Sequence, residues 1–391
     1  MRAFFFKRHC MNIRGPLVLF LVFWASTTLA TTSRINSLGG NGDYFEDDAN
    51  VIRWFGSLTD YPDQIVIKSG NFNIPDGYWQ TSSQKVSGPG AGAHYNLGLD
   101  GKFGTLAFFF QNHHDDDSFS LTPQQLRNNL SFLYAFDLGP LTAAAFFSHG
   151  SRLINFNDTE IDYSANTVGL GSRINLSETA YLDLAGESQF TNIQNSSFSE
   201  LADSDSENNF SLRGRAFVAL GDRSALVPVV EIIHEDKLHP FLVPVRHDNQ
   251  LLRLGMGLDY FPDTDHLLLL NVELVDGKTR AHISDSFIEN TWTSWNLKAG
   301  FESRILSWLT TRGSVGYVDH HQESMHSSGS AIFQIVSPES PTLNINLGAS
   351  LHLGPGDLDL SFGDNYPNSA YTMNTPELQK RWLSATARLF F

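Results

Sequence analysis

The sequence predicts an all-β chain: a transmembrane antiparallel up-and-down β-barrel of about sixteen strands, with fourteen as the lower count. Three observations predict it. Apolar residues alternate with period two along most of the chain. Short turns alternate with long polar stretches. The chain ends on an apolar strand whose final residue is Phe391.

Composition narrows the field first. The 391 residues carry 26 Lys and Arg against 42 Asp and Glu, a net charge of −16. Only 17% are charged and 12% are aromatic, against roughly 25% charged in ordinary soluble domains. A disordered chain would be aromatic-poor and highly charged. A nucleic-acid partner would need net positive charge to neutralise phosphates, so none is expected. The single Cys excludes a disulfide scaffold and a Cys-rich zinc module.

The N-terminal segment reads as a signal peptide over residues 1–30. Arg2, Lys7, Arg8 and Arg14 form a basic head, residues 16–25 an apolar stretch, and Thr28 and Ala30 a small-residue exit. That stretch is too short to span a bilayer as a helix, which takes about 20 residues. Met11 is an alternative start, because 11–30 alone makes a complete signal. Removing the four basic residues lowers the cations from 26 to 22 against 42 acids, for a mature charge of −20.

Residues 31–63 precede the first strand and are expected to form a plug or a periplasmic lead-in. Asp43, Glu46, Asp47 and Asp48, with Arg53 nearby, suit an ion-paired plug anchored on lumen arginines. A calcium loop needs a stricter oxygen pattern than this one shows.

Residues 64–391 carry the strands. The clearest is Leu343–Leu353, with Leu343, Ile345, Leu347, Ala349, Leu351 and Leu353 on one face and Asn344, Asn346, Gly348, Ser350 and His352 on the other. Segments 212–220, 251–260 and 295–302 repeat the pattern, their second faces charged or Gly-rich. Strands are expected at 64–72, 89–99, 103–111, 128–138, 140–149, 165–176, 179–189, 208–220, 223–233, 249–261, 265–275, 290–302, 305–318, 342–353, 357–363 and 381–391. Long polar loops are expected at 73–88, 112–127, 150–163, 190–207, 234–248, 275–290, 319–341 and 364–379. Short turns on one rim and long loops on the other distinguish a membrane barrel from a soluble sandwich. Trp295, Trp308, Tyr317, Tyr260 and Trp382 fall near strand ends, where aromatic girdles belong. The terminal strand, with Leu389 and Phe391 on its apolar face, resembles the signal read by the outer-membrane barrel assembly machinery. Outer-membrane lipids and lipopolysaccharide are the expected surroundings of a Gram-negative outer-membrane protein.

The mature start resembles that of the long-chain fatty-acid outer-membrane transporter family, in Gly39-Gly40 and Asp47-Asp48-Ala49-Asn50 followed by an apolar run. The resemblance covers about 30 residues. It implies an N-terminal segment that plugs the barrel and hydrophobic compounds that pass through it. The family has Asn-Pro-Ala after the acidic pair, where Val51–Gly56 stands here, and it usually has fourteen strands.

A barrel of this size is too wide for its own side chains to fill. The register points Arg173, Arg213, Arg215, Arg253, Lys298, Arg312 and Arg388 into the lumen, with Asp183, Glu187, Glu231, Asp259, Glu273 and Glu302. Facing charges of opposite sign would filter solutes by charge. The competing reading is that they pair between neighbouring strands and fix register. His113–Asp117, Asp319–His321 and Glu200–Glu207 read as solvated loop tips, so no metal site is expected. No cofactor is expected either. Ser148-His149 and the Ser/His-rich stretch 324–329 offer the only hydrolase-like neighbours, and the chain carries no Gly-x-Ser-x-Gly, His-Glu-x-x-His or phosphate loop. The expected function is therefore non-enzymatic: a pore for small solutes, porin-like or for hydrophobic compounds. The alternatives are an anchoring barrel whose acidic loops bind a partner and, last, a lipid hydrolase.

Overall fold

The computed structural model describes residues 32–39, 42–61, 63–70, 90–98, 103–112, 128–156, 159–195, 209–240, 244–283, 286–328, 331–338, 341–367 and 381–391. The predicted signal peptide, His113–Asp117 and Glu200–Glu207 lie outside them.

Among the described residues, seventeen strands follow one short helix, α1 (Thr32–Ser37), and three 3-10 turns at Gly42–Tyr44, Asp48–Ile52 and Phe55–Asp60. The strands are β1 (Gln64–Gly70), β2 (Gly90–Asn96), β3 (Thr105–Asn112), β4 (Asn128–Asp137), β5 (Leu141–Phe156) and β6 (Thr159–Ser177). Next come β7 (Ala180–Asn195), β8 (Asn209–Gly221), β9 (Ser224–Pro240), β10 (Pro244–Tyr260), β11 (His266–Ile283) and β12 (Ser286–Leu306). The last are β13 (Leu309–Ser328), β14 (Ala331–Pro338), β15 (Thr342–His352), β16 (Gly356–Pro367) and β17 (Arg381–Phe390).

Each strand runs antiparallel to its neighbour, and β17 pairs back onto β1 from Gln64↔Phe390 to Gly70↔Ser384. The wall therefore closes on itself. The wall holds sixteen strands, because β14 pairs only with the upper half of β13 while β15 takes the lower half. At a strand spacing of 4.8 Å and a tilt of about 40°, such a ring is about 30 Å across.

The outward face explains why the cylinder is stable in hydrocarbon. On β8, Phe210, Leu212, Val218 and Leu220 are all exposed. They span about 33 Å of strand and about 25 Å along the barrel axis, the height of a membrane barrel's apolar band. β11 repeats this with Leu268, Leu270 and Val272, and β4 with Phe132 and Tyr134. Exposing such side chains to water would cost about 25 cal/mol per Å². Closure leaves no unpaired wall backbone facing lipid. Trp308 and Tyr260 stand exposed near the short-turn rim, and Trp295 and Tyr317 near the opposite edge of the band. The side chain of Trp382 is not described. The tight turn at Gly139 has φ +92°, a left-handed conformation that Gly adopts without strain.

The stretches expected as loops at 150–163, 234–248, 275–290 and 319–341 are instead mostly strand. β5–β6, β9–β10, β11–β12 and β13–β14 continue as hairpins past the apolar band. Outward residues there turn polar, as in Asp276, Lys278 and Arg280 after Leu274. With both faces wet, the period-two signal fades although the ladder continues.

Candidate functional site: the lumen and its inner segment

Residues 32–39 and 42–61 pack on the inner face of the wall. α1 contacts β13, β15, β16 and β17, the first turn contacts β9 and β10, and the third contacts β3 through β7. A segment touching strands around the ring, on the face opposite the apolar band, lies inside the cylinder.

Its two sides differ. Val51, Trp54, Phe55 and Leu58, all fully buried, pack on Ala107, Phe109, Leu133, Ala135, Ala144 and Ala185 of β3, β4, β5 and β7. Phe55 stacks on Phe146 with centroids 4.8 Å apart. It fits because β6 offers Gly169 and Gly171 there: a Cβ on Gly171 would stand 2.9 Å from that of Phe55. Burying each large side chain contributes about 1.5–3 kcal/mol.

The other side is ionic, and Asp43 is its hub. Arg53 donates from Nε to Asp43 Oδ1 at 2.5 Å, Trp54 Nε1 donates to the same oxygen at 2.9 Å, and Arg253 of β10 donates to Oδ2. Arg53 also reaches Glu231 of β9 at 2.8 Å. Tyr44 lies against Gly255 and Gly257 and donates to Glu273 Oε1 at 3.0 Å. Arg34 joins Asp47 (2.9 Å) to Glu302 of β12 (2.7 Å). Glu46 and Asp60 both accept from Arg173. The side chain of Asp48 is not described.

The wall carries its own charge ladder. On adjacent strands, Arg173 pairs with Asp183 (2.7 Å) and Asp183 with Arg215 (2.9 Å). One inward step higher, Glu187, Arg213, Glu231, Arg253, Glu273 and Lys298 follow one another from β7 to β12, at 3.1, 3.9, 3.1, 2.9 and 3.7 Å. Glu302 pairs with Arg312 at 2.5 Å, Arg312 with Asp359 at 3.0 Å, and Asp359 with Arg388 at 2.8 Å. Several of these partners sit directly opposite in register, as Arg173↔Asp183, Arg213↔Glu231 and Glu302↔Arg312 do. Opposite charges at facing positions favour this register over a slipped one. Asp259, buried on the same face of β10, makes no ion pair among the described residues.

Arg34, Tyr44, Trp54, Phe55 and Asp359 were not singled out from sequence. Asp359 had a signal, the alternation Asp357-Leu358-Asp359-Leu360. Tyr44 and Phe55 had none, because their partners are glycines on distant strands. Leu389 pairs with Ile65 across the β1–β17 seam and with Gly356 of β16, and Phe391 is exposed, its amide donating to the Asp63 carbonyl at 3.2 Å. Ser148 and His149, consecutive on β5, point to opposite faces. The Ser148 hydroxyl bonds Asn129 and Ser131, and the His149 ring bonds Asn166. They form no nucleophile–base pair.

Neither any protein-family model nor any curated protein matches the sequence. Among solved structures the chain is similar to CymD, a monoaromatic hydrocarbon channel, at 10% identity and a TM-score of 0.46, covering 93% of this chain and 98% of that one. It is also similar to the Pseudomonas putida toluene transporter TodX, at 9% identity and a TM-score of 0.42, covering 92% and 97%. CdiB from Escherichia coli overlaps at 12% identity and a TM-score of 0.47, covering 84% and 63%. At these values the likeness says nothing about what a lumen carries.

Proposed function

We propose that this chain is a channel for small uncharged solutes in the outer membrane of a Gram-negative cell, with residues 32–61 as a displaceable plug. The observation that carries the reading is the filling of the lumen. The wall's own side chains do not fill it; a separate segment does, and polar and ionic contacts hold much of it in place. Such contacts exchange for water at modest net cost, unlike a continuous apolar core.

Solute class follows from the wall. The ladder alternates acid and base with little net charge, so it gives weak preference between cations and anions. The β3–β7 side, lined by Ala107, Phe109, Leu133 and Ala135, suits an apolar or amphipathic neutral molecule. The lumen charges filter by excluding ions that the pairs do not welcome, while they position the plug. No cofactor is required.

Planar-bilayer recording of the full chain tests this. The expected result is discrete openings with weak ion preference, moved toward cations by Arg253→Glu or Arg213→Glu. Absence of conductance, together with loss of a binding phenotype when a long hairpin is deleted, would support the anchoring reading instead.

A further inference from the structure

Above the charge ladder, the inner face of β9–β12 changes character. Ile233 stands one inward step above Glu231 and Leu251 one above Arg253; Leu251 faces Gly277, and Gly277 faces Trp292. The Trp292 indole lies where a Gly277 side chain would be. The next row up is polar: Glu235 faces Asn249, and Asn249 faces Thr279. Ile233, Glu235, Asn249, Leu251, Thr279 and Trp292, with Gln250 and Lys278, line a partly open recess of about 20 Å³.

Asn249 is the anomaly. It is 7% exposed, and neither its Nδ2 nor its Oδ1 has a hydrogen-bond partner among the described residues. A buried amide with donor and acceptor both unused costs about 1–3 kcal/mol for each group left unpaired. A hydroxyl accepts from Nδ2 and donates to Oδ1 in turn, and the recess has room for one group of about water's size. Ile233, Leu251 and Trp292 offer apolar and aromatic contact to the frame carrying that hydroxyl. An anion would lose its hydration in so narrow a recess, which disfavours it.

We propose that Asn249 binds the hydroxyl of a small neutral alcohol or phenol, making this recess a capture subsite on the outer side of the plug. The proposal rests on the channel reading and narrows it to hydroxylated apolar solutes. The full chain, purified in detergent, is titrated with phenol, toluene and benzoate. Calorimetry measures affinity, and indole fluorescence reports occupancy beside Trp292. Phenol is expected to bind about tenfold tighter than toluene, the worth of one good hydrogen bond, with benzoate weaker than both. Asn249→Leu is expected to erase the preference for phenol while toluene affinity holds. Trp292→Phe is expected to remove the fluorescence response and to weaken phenol and toluene alike. Equal phenol affinity in wild type and a folded Asn249→Leu variant, or no phenol binding at all, would overturn the proposal and leave the recess to a structural water. Binding is read without passage, so phenol binding in a protein that never conducts would sink the channel reading and spare the subsite.

Discussion

Replacing Arg253 by alanine puts the hold on the inner segment to a quantitative test. Arg253 is 1% exposed and ion-pairs with Asp43, Glu231 and Glu273. In its absence these three buried carboxylates share Arg53, Arg213 and Lys298, the last two at 3.9 and 3.7 Å. Breaking a buried pair by removing one partner costs about 3–5 kcal/mol. Asp43 is one acceptor of three and the only one on the segment. The share that loosens the segment is therefore about one third, about 1–1.7 kcal/mol, a fivefold to twentyfold larger released population. The assay is the labelling rate of Ser57→Cys by a membrane-impermeant maleimide, since Ser57 is fully buried and the chain's one natural Cys, Cys10, lies in the predicted signal peptide. Labelling should be slow in the Ser57→Cys parent and about fivefold to twentyfold faster with Arg253→Ala added. An unchanged rate, in a barrel that still shows its heat-dependent gel shift, would refute the idea that Arg253 holds the segment.

Other expectations follow from the same geometry. Gly257→Val places a side chain where the Tyr44 ring lies. It should speed Ser57→Cys labelling while leaving barrel assembly intact, as judged by the gel shift. Brominated lipids should quench single-tryptophan variants retaining Trp295 or Trp308, which are 55% and 50% exposed, and spare those retaining the buried Trp54 or Trp292. Comparable quenching of all four would contradict the assignment of inner and outer faces. Cysteines at Ile65 and Leu389, paired across the β1–β17 seam, should crosslink under mild oxidation in membranes; failure to crosslink would mean an open seam.

The strands were legible because one face meets hydrocarbon and the other does not, which writes period two into every wall strand from Leu343 to Leu353 and beyond. The same physics hid the upper hairpins. Where Asp276, Lys278 and Arg280 face water on the outside, alternation carries no penalty and disappears. Lumen orientation of Arg173, Arg213, Arg253 and Arg312 followed from parity alone. Their partners did not, since the contacts of Arg253 with Asp43 and of Arg34 with Glu302 join residues more than 200 positions apart. The seat of Phe55 on Gly169 and Gly171 was equally hidden, because a glycine in a strand signals close approach without naming what approaches.

The most direct test of the gated lumen is a reversible tether between segment and wall. The Cβ positions at Phe55 and Gly171 are 2.9 Å apart, slightly closer than the usual disulfide separation of about 3.8 Å, so Phe55→Cys with Gly171→Cys should join after a small adjustment. In single-channel recordings the oxidised protein should stay shut and open once a reductant is added. Equal conductance in the two redox states, with the crosslink confirmed by mass, would contradict the account.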